Sequence, residues 1–329
     1  MTTTYRGDAE LARLLRENKA ELDVAGARDL VAGVLAAPKG WDPEAWLRLV
    51  VPEPTAALME QLLALGTLLA TERRDGGDTA GRLAAQRAEL ARRGLAGFLV
   101  PLADEHQGEY VPARARRLAW LTGFTGSFGL AIVLGDKAAI FVDGRYTLQA
   151  EQQVDGKLFE RHHITQSPPE AWLEKHLGLG EALGFDPWLH TKCDVERLER
   201  ACAKAGGRLA PATPSPIDAV WTDQPPPPIA PVVPHDVGYA GRDAKDKRAE
   251  IASAIAREGA GAAVLSDPAS IAWLLNVRGG DVPNTPLPLG FAIIHADARV
   301  ELYLDPRKAA PELRQHLGPD VVIRPPADA

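Results

Sequence analysis

Four residues of one short segment, Asp104, Glu105, His106 and Glu109, bring carboxylates and an imidazole together where they could exchange a proton. They follow an apolar stretch ending at Val100, and the loop after a strand is where α/β sheets often present functional groups. A solvated loop is the simpler expectation for so polar a segment. A second cluster, Asp143-Gly144-Arg145-Tyr146, closes another apolar run with an acid, a turn glycine and a cation. Asp143 with Arg145 or with Arg117 could form an ion pair that holds the turn, or the same charges could contact a substrate. Arg114, Arg116 and Arg117, set among alanines, read as solvated surface.

Other chemistries are not supported by spacing. The eight histidines include no pair one helical turn apart, as a zinc or dinuclear site on a helix would use. Gly126-Ser127-Phe128-Gly129 lacks the residue that a nucleophile elbow places between its first glycine and its serine. A tight turn with a locally bonded Ser127 is expected instead. Gly178, Gly180 and Gly184 have the wrong spacing for a dinucleotide fingerprint and run from helix into strand, the reverse of the required order. Of the two cysteines, Cys202 follows Val195 and Leu198 at helical spacing and is expected in a core.

The elements that must position these groups occur twice. A helix stopped by Gly94, a strand over 96–100, Leu118-Ala119-Trp120-Leu121 and the run 131–134 are answered by Gly259, a strand over 262–265, Ile271-Ala272-Trp273-Leu274 and the run 292–294. Such separations far exceed the roughly 20 to 50 residues of solenoid repeats, so this is a duplicated domain. Phe141-Val142-Asp143-Gly144-Arg145 is matched by Tyr303-Leu304-Asp305-Pro306-Arg307. The first copy continues to Trp221, whereas residues 308–329 alone follow Arg307, so the second copy is expected to be incomplete. Helices alternating with strands, and a β-hairpin turning at Gly135-Asp136, define an α/β class with mixed sheets. Trp120 and Trp273 are expected to anchor the two cores.

Four parts follow: a helical extension over 1–77, a first domain over 78–222, a proline-rich linker over 223–237 and a second domain over 238–329. Trp46, Leu47, Leu58, Leu62, Leu65, Leu68 and Leu69 give the extension, in the segments Glu44–Val51 and Ala56–Ala70, a wide apolar face. That face could meet the adjacent domain, another helix of the extension or a second chain. A charged, glycine-containing stretch, Glu72–Asp78, leads into the first copy, whose opening helix Asp78 or Thr79 could cap; Asp243 could cap its counterpart. Pro225 to Pro228 stiffen the linker as a spacer. A hydrophobic fraction of 46% permits a sizeable core, and a net charge of −7 argues against a nucleic-acid partner. No apolar stretch is long enough to cross a bilayer, and residues 1–19 lack the apolar centre of a signal peptide, so a cytoplasmic location is expected.

Read in series, Asp104-Glu105-His106-Gln107-Gly108-Glu109-Tyr110, Trp120-Leu121-Thr122-Gly123-Phe124-Thr125-Gly126-Ser127, Val142-Asp143-Gly144-Arg145-Tyr146, Val220-Trp221-Thr222-Asp223 and the segment Ile271 to Gly279 with Asp281 and Val282 resemble Xaa-Pro aminopeptidases. The likeness covers residues 79–329 and is to the two amino-terminal, creatinase-type domains of the creatinase and pita-bread metallopeptidases. Gln224 stands where an arginine is common in that group.

The resemblance implies an enzyme that releases an N-terminal residue preceding proline, acting on short proline-containing peptides. It implies two divalent metals, usually manganese, held by two Asp, one His and two Glu of a third, carboxy-terminal domain. That domain is not among these residues, so no metal, cofactor or catalytic residue is assigned to the chain, which is expected to be an inactive portion of such an enzyme. His106, Arg145 and Tyr146 become candidates for lining the mouth of the metal site, with Arg117 and Asp143 as structural ion-pair candidates. A homodimer would fit the apolar extension. The rival reading is a non-catalytic protein-binding module, and a creatinase-like amidinohydrolase fits less well because that group usually carries one amino-terminal domain.

Overall fold

The computed structural model describes residues 5–36, 46–74 and 79–328. Asp78 as a cap, the segment from residue 75 to Asp78 and the first two residues of the Glu44–Val51 segment lie outside them, as do the side chains of Leu68 and Leu69.

The chain divides into two compact units, Met1–Thr79 and Ala80–Ala329. In the first, α1 (Asp8–Glu17), α2 (Val24–Ala36), α3 (Leu47–Val50) and α4 (Ala56–Arg74) bury Leu11, Leu15, Val31, Trp46, Leu58 and Leu62 against one another. Part of the extension's apolar face is thus covered by its own helices. Asn18 Oδ1 accepts from Thr55 N at 3.0 Å and holds the start of α4 to the end of α1.

The second unit opens with α5 (Thr79–Arg92), which Gly94 terminates in the left-handed region at φ 68°. Then come β1 (Gly97–Pro101), α6 (Arg117–Thr122), β2 (Leu130–Leu134), β3 (Ala138–Val142), α7 (Thr147–Gln153), β4 (Glu160–His163), α8 (Pro169–His176), β5 (Ala182–Phe185), α9 (Lys192–Lys204), β6 (Arg208–Pro211) and α10 (Pro216–Val220). The sheet order is β4-β3-β2-β1-β5-β6, with β2 antiparallel and the other five strands parallel. One face, with Phe98, Val100, Ile140 and Val142, packs against Leu83 and Leu90 of α5 and Leu118 and Leu121 of α6. The other, with Leu99, Ile132 and Phe141, packs against Trp172 and Leu173 of α8 and Leu198 and Cys202 of α9. Burial lifts the Cys202 thiol to about 11, in keeping with a core residue.

The remaining elements are β7 (Val233–Pro234), α11 (Val237–Ala240), α12 (Ala244–Arg257), β8 (Ala262–Leu265), α13 (Pro268–Leu275), β9 (Val277–Arg278), β10 (Phe291–His295), β11 (Val300–Tyr303), α14 (Pro311–Leu317) and β12 (Val321–Arg324). Asp243 caps α12 by accepting from Lys245 N, and Gly259 ends it at φ 70°. The sheet order β12-β11-β10-β8 repeats β4-β3-β2-β1, with the same sequence of antiparallel, antiparallel and parallel pairings. No counterparts of β5 and β6 occur among the described residues. The row Leu99, Ile132, Ala139, Glu160 is answered by Val264, Ile293, Glu301, Val322, on a face where Val264 and Val322 are exposed. Val264, on the outer strand β8, is 73% exposed.

The linker is less free than a spacer. Val232 is buried in the second domain's core, and its N–H donates to Lys308 O at 3.0 Å. Trp221, just before the prolines, stacks on Trp120 at 5.4 Å.

Candidate site at the carboxyl edge of the first sheet

Five parallel strands deliver their carboxyl ends to one edge of the first sheet. The chain leaves β1 toward β2 on one side, while β5 lies on the other, so the crevice beside β1 is a topological switch point, where open α/β sheets bind ligands.

The loop after β1 is not the solvated segment expected from its polarity. Asp104 is 1% exposed, and its Oδ1 accepts from His106 N and Gly108 N, both at 3.0 Å. One carboxylate thereby satisfies two backbone amides of a turn that places Gln107 at φ 58°. His106 is buried as well, because the second domain covers it. Its Nδ1–H donates to Ser266 O at 3.0 Å, and its ring stacks on Phe291 with centroids 4.5 Å apart. Trp188, in the loop after β5, also lies against Phe291, at 5.8 Å. His106 therefore joins two domains, and Glu105 and Glu109 remain exposed.

Of the two partners open to Asp143, the structure selects Arg145. Arg145 N donates to Asp143 Oδ1 at 2.9 Å, and Nε and Nη2 form a fork on the carboxylate, with Nη2 to Oδ2 at 2.7 Å. The guanidinium holds the Asp143 carboxyl below its ordinary range. The second copy repeats every bond: Arg307 N, Nε and Nη2 donate to Asp305, whose carboxyl is lowered to about 2. A device present in both copies belongs to the fold, so this pair is read as a turn clamp. Arg117 is a correction to the sequence reading. It is buried rather than solvated, and it reaches Asp218, Nε to Oδ1 at 2.7 Å and Nη2 to Oδ2 at 2.8 Å. Gln224, in the position where the resembling group commonly has arginine, donates to the same Asp218 and to Arg114 O.

Tyr146 and Ser127 complete the edge. Ser127 Oγ–H donates to Glu109 Oε1 at 2.9 Å, which leaves Ser127 Oγ to accept from Tyr146 O–H at 2.7 Å. Ser127 thus bonds far along the chain, not within its own turn as expected. Gly126 is required beside it, since a Cβ there would sit 2.3 Å from the Phe124 ring and 2.8 Å from that of Tyr146. Arg145 lies over the Tyr146 ring at 5.1 Å. Ser127 meets a phenol and a carboxylate and no imidazole, so the nucleophile–base geometry of a hydrolytic serine is not formed. Two clefts flank this line, one of about 440 Å³ toward β5 and α9, the other of about 330 Å³ toward Val282 and Pro283 of the second domain.

Of the two tryptophans, Trp120 is half-buried and packs against the first core, whereas Trp273 is 47% exposed, a correction to its reading as a core anchor. Each lies beside a cation from the first helix of its copy. Arg82 donates to Trp120 O at 2.8 Å and lies 5.2 Å from the ring centroid. Lys247 donates to Trp273 O at 3.0 Å and lies 4.8 Å from the ring. Lys247 is buried, with its pKa lowered by desolvation, and it also donates to Asn276 Oδ1 at 2.7 Å. Arg82 and Lys247 are separated by the same 165 residues as Gly94 and Gly259, a signal the sequence does carry.

Among the described residues, no three His, Cys, Asp or Glu side chains gather as a metal site would need. Also among the described residues, no helix is long and apolar enough to cross a membrane.

Two duplicated α/β domains with this edge define a class. The creatinase/prolidase N-terminal domain model matches residues 82–220, and a second model of the same description matches 223–329. The chain belongs to this family, and its paired domains are of the aminopeptidase P type. It is 36% identical over 224 residues to aminopeptidase P1 of Lotus japonicus, covering 68% of this chain and 34% of that protein. It is 35% identical over 251 residues to the probable Xaa-Pro aminopeptidase P of Paracoccidioides brasiliensis (strain Pb03), covering 75% of this chain and 41% of that one. The fold matches the X-prolyl aminopeptidase of Caenorhabditis elegans, a cytosolic enzyme with a dinuclear active site, with a TM-score of 0.72 and 27% identity, covering 76% of this chain and 43% of that one. The chain thus spans well under half the length of the relatives it matches.

Proposed function

We propose that these residues form the amino-terminal part of a cytoplasmic Xaa-Pro aminopeptidase and act by shaping the approach of short proline-containing peptides to a metal site that lies outside residues 1–329. The observation that carries this reading is the continuous match to Xaa-Pro aminopeptidase P over 75% of the chain, in both domains and in order. In such an enzyme two divalent metals, manganese in the usual case, activate water and polarise the scissile carbonyl. The contribution of this chain is steric and electrostatic. Arg145 and Tyr146 stand at the carboxyl edge where a peptide would pass. His106 acts through the second domain, as a positioning residue. Residues 1–329 alone do not hydrolyse peptides in this reading.

A chimera tests it. Residues 80–329 are exchanged for the matching segment of the Caenorhabditis elegans enzyme, and Xaa-Pro peptide hydrolysis is measured. The expected result is retained turnover, with Tyr146→Phe raising KM and leaving kcat unchanged. A folded, metal-loaded chimera without turnover would overturn the proposal.

A further inference from the structure

A cleft of about 640 Å³ opens in the second domain where α12 begins, between residues 234–237 and the turn over residues 316–320 that follows α14. No residue of the first domain lines it, so the peptidase reading does not use it. One side chain of its wall is anomalous. Arg248 is 6% exposed, yet its guanidinium makes no hydrogen bond among the described residues, and its Nε is buried without a partner. A buried fork of donors left idle is costly and calls for an acceptor. The acid it meets is Asp320, whose Oδ2 stands 3.7 Å from Nη2, too far for a hydrogen bond, on a side chain 56% exposed. Lys245, three residues earlier and so on the same face of α12, also lines the cleft, and its ammonium has neither a hydrogen bond nor an ion pair among the described residues. The other two carboxylates of the wall are taken up by helix starts. Asp236 Oδ1 accepts from Gly238 N and Asp243 Oδ1 from Lys245 N, both at 2.7 Å.

A guanidinium with idle donors, an ammonium beside it and the amino end of a 14-residue helix converge on one ligand chemistry. We propose that this cleft binds a phosphate group, free or as the monoester of a small molecule, held by Arg248 and Lys245 at the start of α12. Asp320 approaches the guanidinium loosely in the free protein, and the phosphate turns it out into the solvent that more than half of its side chain already meets. The volume lies within the range of small-molecule sites. The net charge of −7 opposes the approach of an anion, so affinity rests on these local donors and weakens as salt is added. The site stands whether or not the chain serves a peptidase, since neither a metal nor turnover enters the argument.

Calorimetric titration of the purified 329-residue chain tests it with inorganic phosphate, methyl phosphate and, at matched ionic strength, sodium chloride. Inorganic phosphate is expected to bind saturably and chloride not at all. Arg248→Gln should weaken phosphate binding at least tenfold, whereas Asp320→Asn, which removes the competing carboxylate, should tighten it severalfold. The two variants move in opposite directions, so a misfolded Arg248→Gln chain cannot mask the result. Methyl phosphate binding at least as tightly as inorganic phosphate assigns the site to a monoester, and weaker binding assigns it to the free ion. Absence of saturable phosphate binding, equal binding of chloride, an unaffected Arg248→Gln chain, or an Asp320→Asn chain that binds no more tightly overturns the assignment.

Discussion

Replacing His106 by alanine should loosen the seat between the two domains of the second unit, and the size of the loss follows from its two contacts. The Nδ1–H bond to Ser266 O contributes about 1 kcal/mol, near the middle of the usual range, because Ser266 is exposed and water can replace the donor. The stack on Phe291 contributes about 1 kcal/mol beyond area burial. His106→Ala should therefore cost about 2 kcal/mol in the free energy joining the domains. His106→Phe keeps a ring against Phe291 and loses only the donor, so it should cost about half as much. Urea unfolding followed by tryptophan fluorescence suits the measurement, since Trp188 lies against the same Phe291 ring. The alanine variant should shift the transition of the second domain to lower urea. A loss below about 0.5 kcal/mol for alanine, within the noise of surface substitutions, would refute the reasoning. So would a phenylalanine variant as damaged as the alanine one.

Lys308 and Asp281 form a buried pair at 2.7 Å, and Asp281 Oδ2 also accepts from Leu289 N, so Lys308→Ala should cost about 3–5 kcal/mol by chemical denaturation. A loss under about 1 kcal/mol would mean that water reaches the carboxylate. Val264→Lys, on the open edge of β8, should reduce self-association in light scattering while changing stability by less than about 0.5 kcal/mol. Burial lowers the pKa of His190 and of His176. The unfolded chain takes up protons with the ordinary imidazole pKa of about 6.5 and the folded chain resists them, so stability should be complete above that pH and fall below it. Melting temperatures between pH 7 and 5 check this, and His190→Phe should flatten the slope; an unchanged slope contradicts it.

Local chemistry was legible and long-range pairing was not. Gly94 and Gly259 end helices, Asp243 caps one, and Gly135-Asp136 turns a hairpin, since each depends on a few neighbouring residues. The helix α9 begins at Lys192 because Thr191 is its cap, accepting from Asp194 N. The Arg145 clamp was within reach because its partner is two residues away. Arg117 was misread because Asp218 lies 101 residues further on, and nothing near Arg117 announces it. Burial of His106 required knowing that Phe291 would meet it. Trp273 was assigned to a core by analogy with its duplicate, but the helix it sits on turns it outward over Lys247. Glu109 was noticed for its charge, while its hydrogen bond from Ser127, 18 residues further on, depends on a fold that brings the two loops together.

The most direct test of the central claim is hydrolysis of a short Xaa-Pro peptide by the purified 329-residue chain, with and without added manganese, beside a metal analysis of the same sample. The account predicts no turnover in either condition and no stoichiometric metal. Turnover that depends on stoichiometric metal would contradict it, by placing the chemistry within these residues.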